Sequence, residues 1–251
     1  MKRDELVEYL DQLLEVKAIE DRSNNGLQVE GAETVQRVAF AVDAGLAAFQ
    51  DAAAAGAQML IVHHGLFWGE PIMVTGIQRR RLQALLDAGV SLYGVHLPLD
   101  VHPELGNNAV LARWLDLRDT TPYGQYKGRP LIVTGSLPEE MALDAFAARV
   151  EEVLGKPVIQ IWPFGRPEVR RVGIVSGGAG FLLGEVAEAG VDVYFTGEVS
   201  HTIYHQAQEL GLNVVFGGHY ATETAGLKAL AEHLEENFEL ETVFLDLPTG
   251  A

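Results

Sequence analysis

The sequence contains no cysteine. Disulfides, thiolate-bound zinc and thiol nucleophiles are thereby excluded, and any metal must be held by nitrogen and oxygen donors. Long hydrophobic runs are also missing: no stretch approaches the roughly 18 apolar residues that a membrane-spanning helix needs. The N-terminal MKRDELVEYLDQLLEV carries charges throughout an amphipathic helical period, unlike a secretory signal, so a cytoplasmic protein with no membrane span is expected. Positive charge is scarce, with 18 Lys and Arg against 35 Asp and Glu and a formal net charge of -17. Such a surface repels nucleic acid and anionic membrane, so neither is expected as a partner, and a polyanionic ligand would need a local positive site.

What remains is ordinary globular usage. The 251 residues are 48% hydrophobic, 8% aromatic and 21% charged, enough to bury a core in one large or two modest domains. A helical period over 4–16 is followed by the loop SNNGLQVEG at 23–31, rich in residues that tolerate unusual backbone angles. Apolar strands are expected over 37–42, 59–62 and 91–95, separated by helices near 47–55 and 78–88, and a helix over 107–115 closes this half. The segment 119–167, punctuated by Pro122, Gly124, Gly128, Pro130, Pro138, Pro157, Pro163 and Pro167, reads as a linker and small insertion with a strand, a helix and a strand. The alternation then resumes with strands over 171–175, 191–195 and 213–216 and helices near 181–189, 201–210 and 221–237. Strands alternating with helices imply an α/β fold with mostly parallel sheets.

The two halves resemble each other. Placing Arg37 on Arg171 without gaps aligns Val38 with Val172, Gly56 with Gly190, and His63–His64 with Gly197–Glu198. Further on, GVHLPLD and GGHYATE each carry a histidine followed four residues later by a carboxylate: His96 with Asp100, and His219 with Glu223. Two related α/β halves are therefore expected, with a dinuclear metal site between them. The first domain covers 1–118 plus 219–251, and the second, including the Pro-rich insertion, covers 119–218. A generic strand–helix–strand period is the alternative explanation of the match.

Six of the eight histidines, His63, His64, His96, His102, His201 and His219, fall just after expected strands or in the turns that follow. Open α/β sheets place their ligands there. In IVHHGLFW two adjacent imidazoles end an apolar strand. Neighbouring strand side chains point to opposite faces, so the pair suits two metals, one each, better than one. Packing and hydrogen bonding at a strand end is the competing role. His219 and Glu223 can share one helical face, and a carboxylate can bridge two cations. If Glu223 bridges, one metal has His64, Asp100 and Glu223 and the other His63, His219 and Glu223. Alone, Glu223 would read as a first-turn carboxylate favoured by the helix dipole, and Asp100 as a cap before Pro103. The glycines of Ser176–Gly180 match neither phosphate-loop nor dinucleotide spacing, so they read as a tight turn. No Ser or Thr sits in a nucleophile elbow.

Taken together, SNNGLQVEG, IVHHGLFW, GVHLPLD, FTGEVSH and GGHYATET resemble the GTP cyclohydrolase 1 type 2 family, also called Nif-three-like, over nearly the whole chain and in its short form. The resemblance implies that His63, His64, Asp100, His219 and Glu223 hold two divalent metal ions, drawn from Zn, Fe, Mn, Co and Ni, with Glu223 bridging. It also implies a ring-shaped homohexamer whose metal sites face an interior cavity. The sequence departs from many relatives at His201–Thr202, where they carry a second histidine. The expected activity is that of a metal-dependent hydrolase in which activated water attacks a small molecule such as a nucleotide or related heterocycle, with GTP ring opening as the form the family name suggests. His96, the pseudo-equivalent of His219, is the first candidate for proton transfer and His201 the second; both could instead orient ligands. A metal-binding scaffold or regulatory protein without turnover is the alternative.

Overall fold

The computed structural model describes residues 1–250 and divides into two compact units. The first comprises Met1–Leu105 and Gly226–Leu247, and the second Gly106–Ala225 with the residues from Pro248 on. Among the described residues no helix is long and apolar enough to cross a membrane.

The first unit opens with helix α1 (Arg3–Leu13), which buries Leu6 and Leu10 one turn apart, the spacing that makes one apolar stripe. Strand β1 (Gly26–Val29) follows, then β2 (Arg37–Asp43), helix α2 (Leu46–Ala54), β3 (Met59–His64), helix α3 (Gly76–Ala88) and β4 (Ser91–Gly94). A single turn, α4 (Leu97–Asp100), leads out of the sheet. The strands stand in the order β1, β4, β3, β2 and then the C-terminal strand Glu241–Phe244. Every neighbouring pair is parallel except β1 with β4. Residues Val38 to Val42 are all buried, as befits a parallel strand covered on both faces. Burying Val38, Phe40 and Val42 contributes about 1.5–3 kcal/mol each, so apolar content anchors β2 against its neighbours.

The second unit contains helix α5 (Asn107–Trp114), β5 (Arg118–Tyr123), β6 (Ile132–Ala142), helix α6 (Leu143–Leu154), β7 (Gln160–Trp162), β8 (Glu168–Val175), α7 (Leu183–Glu188), β9 (Val193–Thr196), α8 (Tyr204–Leu210), β10 (Asn213–Phe216) and the short α9 (His219–Thr222). Its sheet runs β5-β6-β8-β9-β10-β7. The central β8, β9 and β10 are parallel, and β5, β6 and β7 join antiparallel. The proline-marked segment, expected as a linker and small insertion with a strand, a helix and a strand, contains β6, α6 and β7 and most of a further strand, β5, and all three strands belong to the sheet. Its prolines fall beyond strand ends, at the register shift of β6 against β8, and on β5, whose residues are all exposed. A missing N–H is tolerated in such places.

The internal likeness reappears in the topology. Each unit has three consecutive parallel strands, β2-β3-β4 and β8-β9-β10, with an antiparallel strand outside the third. The pairs His96/Asp100 and His219/Glu223 follow the third strand of each set, on the single turns α4 and α9.

One expected helix divides. The stretch predicted as a single helix over 221–237 is instead α9 followed by Thr224–Asn237, with Glu223 at the junction. The Thr222 hydroxyl donates to the carbonyls of Gly218 and His219, and that of Thr224 to Ala221. Hydroxyls that bond back to preceding carbonyls compete with the helical ladder and bend it.

Candidate metal centre

In the first unit the donors gather where β3 and β4 end. His63 and His64 are the last two residues of β3, and their ring centroids lie 4.8 Å apart. His96 follows β4, with its ring 5.1 Å from that of His63 and 5.6 Å from that of His64. One ring nitrogen from each of the three can be chosen so that all lie within 4.8 Å of one another. Asp100, at the end of α4, is buried and its Oδ1 stands 3.6 Å from His63 Nε2.

Each imidazole is held through Nδ1. His63 Nδ1 lies 3.0 Å from the carbonyl of Val95. His64 Nδ1 meets Asp43 Oδ1 at 2.9 Å, and His96 Nδ1 meets both oxygens of Asp21, at 3.0 and 3.1 Å. A carbonyl or an ionised carboxylate can only accept, so Nδ1 carries the proton in all three and a neutral ring presents its Nε2 lone pair. Trp68 packs edge-on to His96 at 5.0 Å and lies 6.0 Å from His64, and its indole N–H donates to Gly65 O.

The SNNGLQ loop explains why these chain ends hold still. Asn25 accepts the His96 backbone N–H at 2.8 Å and donates to Asp21. Gln28 accepts the Leu66 N–H at 2.8 Å and donates to Asn24 O. Asn24 in turn donates its backbone N–H to Phe67 O and accepts that of Gly69. One loop thus ties the HHG turn to the GVH turn. Asp21 also accepts from the N–H groups of Ser23 and Leu97. Burial resists ionisation of Asp21, but its bonds and charge interaction with His96, with help from Asn25 and Ser23, prevail and hold the carboxyl well below the usual carboxylate range.

In the second unit, His219 begins α9 and Glu223 directly follows it, and Glu223 is buried. His219 Nε2 lies 3.1 Å from Glu223 Oε1, and its Nδ1 lies 2.8 Å from Glu198 Oε2. The hydrogen bond to Glu223 raises the His219 pKa to about 9, against the opposing cost of burial, with the charge of Glu223 and then Glu198 adding to it. Without a cation, His219 is an imidazolium between two carboxylates. Gly177 closes over this pair: its backbone is left-handed, and a Cβ there would overlap Glu223 Oε1 and stand 3.3 Å from His219 Nε2. The Ser176–Gly180 segment is thus a tight turn, as expected, and it serves the site by passing close to it. Its N–H at Gly177 donates to Thr222 Oγ1.

In each unit the donor set suits a divalent cation. It is all imidazole and carboxylate, as in zinc and iron sites, and the expected outer partners stand behind His63, His64, His96 and His219. His201, the other candidate for proton transfer, is an exposed residue opening the turn His201–Ile203. Sequence reasoning overlooked Asp21, Asp43 and Glu198 as partners of the histidines. Asp43 and Glu198 were findable, since each is a carboxylate at the carboxyl end of an expected strand.

A family model for DUF34/NIF3 (NGG1p interacting factor 3) matches residues 1–250. The chain belongs to the DUF34/NIF3 family. Among relatives of this NIF3 chain, the "GTP cyclohydrolase 1 type 2 homolog" of Deinococcus radiodurans is 43% identical over 248 residues, covering 99% of this chain and 94% of the relative. A protein of the same description from Pyrococcus abyssi is 45% identical over 250 residues, with both chains fully covered. The crystal structure of TTHA1606 from Thermus thermophilus superposes on the NIF3 chain with a TM-score of 0.92 at 47% identity, again covering 100% of each.

Proposed function

We propose that this NIF3 protein is a metal-dependent hydrolase whose His63, His64, Asp100, His219 and Glu223 would together hold two divalent metal ions. The observation that carries the reading is the set of imidazoles held through Nδ1 beside buried carboxylates. It turns Nε2 towards carboxylates, with His63 Nε2 3.6 Å from Asp100 Oδ1 and His219 Nε2 3.1 Å from Glu223 Oε1. The His219–Glu223 contact supports it too, because a proton there occupies the place a cation would take. Bound divalent cations would supply Lewis acidity and a lowered pKa for water.

The chain's own residues divide the remaining work. His96, locked by Asp21 and Asn25 beside the His63–His64 pair, is assigned proton transfer through Nε2. His201 is the second candidate, by its exposure near Glu198 in the chain. Trp68 packs edge-on against the His96 ring. The substrate is a small molecule with an electrophilic ring carbon, a nucleotide or related heterocycle, following the description of the relatives as GTP cyclohydrolase 1 type 2 homologs. The assembly carried with this reading is a homohexamer, to be checked by light scattering for a mass of six chains.

The test has two stages. Purified protein is assayed for transition metal, alone and as the His63→Ala/Glu223→Ala double variant; the reading expects two ions per chain in the first and loss of metal in the second. Unchanged metal content in the double variant overturns the site. Metal-loaded protein is then incubated with GTP and a nucleotide panel while formate, phosphate and ring-opened products are followed. Bound metal without turnover on any of them would leave a metal-containing scaffold as the function.

A further inference from the structure

We infer that Asp43 and Glu198, with Asp21, are positioning residues: each fixes the proton of one histidine on Nδ1, and so commits Nε2 of His64 and His219 to the metal centre and Nε2 of His96 to proton transfer beside it. The inference rests on the metal reading above for its purpose, but not for its geometry.

The argument begins with a recurrence. In the first unit, Asp43 ends β2 and His64 ends the neighbouring parallel strand β3, and the two residues are directly paired in register. Their side chains meet at 2.9 Å. In the second unit, Glu198 follows β9 and His219 follows the neighbouring parallel strand β10. The pairing continues past the strands, since Gly217 N–H donates to Thr196 O and Gly218 N–H to Gly197 O, and the side chains meet at 2.8 Å. Both units thus use one device, a carboxylate at the end of one parallel strand that engages Nδ1 of a histidine at the end of the next. Two occurrences in two units are hard to ascribe to accidental surface pairing.

The third case differs in kind. The side chain of Asp21 comes from the loop before β1, is only 3% exposed, and accepts from Ser23, Asn25 and Leu97 as well as His96. Those of Asp43 and Glu198 are about half exposed, at 47% and 54%. The exposed pair can be substituted without leaving a buried group stranded, whereas Asp21 is tied into the loop itself. A neutral imidazole without such a partner is free to carry its proton on Nε2, which removes the lone pair a metal needs. His63 supplies the internal reference, because its Nδ1 is fixed by a backbone carbonyl that no substitution removes.

The test uses full-length protein with selectively 15N-labelled histidine, metal-free and at a pH above about 9, where the His219 imidazolium has given up one of its two ring protons. Long-range proton–nitrogen spectra report which ring nitrogen carries the proton. In the native protein, Nδ1 of His64, His96 and His219 is expected to be protonated. In Asp43→Ala the Nδ1 signal of His64 should move, and in Glu198→Ala that of His219, with His63 unchanged in both. Zinc affinity, measured against a chelator, should fall on the order of 10–100-fold in each, with partial recovery in Asp43→Glu and Glu198→Asp. Nδ1 signals that stay in place in both alanine variants overturn the inference whether or not metal binds. Unchanged zinc affinity with altered signals overturns the part that concerns the metal. Native protein that takes up no zinc sinks the metal reading, while the nitrogen spectra still decide the positioning role.

Discussion

Replacing Gly177 with alanine would put a methyl group where the Glu223 carboxylate sits, since a Cβ there overlaps Oε1. Two costs follow, and a matched control separates them. The backbone at Gly177 has φ +63°, and a left-handed residue with a Cβ costs about 1–2 kcal/mol. The lower conformational freedom of unfolded alanine offsets about 0.4–1 kcal/mol of that. Gly190 has nearly the same backbone, φ +67°, but the nearest atom to its Cβ is Arg171 Nη1 at 3.8 Å. Gly190→Ala therefore bears the backbone cost alone, a net destabilisation of about 1 kcal/mol. Gly177→Ala must also push Glu223 aside and break its bond to His219, which adds about 1–3 kcal/mol. Urea unfolding of the metal-free proteins should place Gly190→Ala slightly below native and Gly177→Ala roughly 2–4 kcal/mol below it. A zinc titration should then show at least tenfold weaker binding for Gly177→Ala and native affinity for Gly190→Ala, since only the former displaces a proposed ligand. Equal effects of the two substitutions on zinc affinity would refute the role assigned to the Gly177 turn.

Three further outcomes are expected. In metal-free protein the His219 pKa stands at about 9, above its ordinary value of 6.5, so the stability it contributes is fully present below about pH 6.5 and is lost as pH rises towards and through 9; unfolding measured across this window should show that decline, and Glu223→Gln should flatten it. Gln28→Ala removes the acceptor of the Leu66 N–H and the donor to Asn24 O, and should cost about 1–3 kcal/mol, with faster hydrogen exchange confined to the HHG turn; exchange that rises equally in both units would contradict the brace. Asn25→Ala removes the acceptor of the His96 N–H and a donor to Asp21, and should raise exchange at His96 and Leu97, read by mass spectrometry, while the second unit is unchanged.

Much of the site was legible because its signals are local. The HHG doublet follows an uninterrupted apolar strand, and each His–x–x–x–carboxylate fits inside a single turn, so four-residue spacing already predicts shared direction. The alternation of strands and helices likewise announced an α/β fold, and the Gly56–Gly190 match marks the equivalent turn before β3 and β9, where both glycines are left-handed. The hidden parts are pairings over distance. Asp43 meets His64 across 21 residues only because β2 and β3 pair in a particular register, and Asp21 reaches His96 across 75 residues through a loop with no regular period. In the proline-rich segment a strand, a helix and a strand were expected but β5 was not, because prolines signal interruption, whereas an exposed outer strand accommodates one. Glu223 was placed within a continuous helix, since threonine hydroxyls that bend a helix are indistinguishable in sequence from threonines that do not.

By itself the sequence determined which donors exist: without cysteine, metal must take nitrogen and oxygen donors, and apolar strands carry imidazoles and carboxylates to their carboxyl ends. Only the tertiary structure decided which nitrogen of each imidazole is committed. That choice belongs to the group standing behind the ring, a Val95 carbonyl or the carboxylates of Asp43, Asp21 and Glu198. An imidazole is chemically ambiguous between its two nitrogens until a neighbour placed by strand register or loop closure takes one of them.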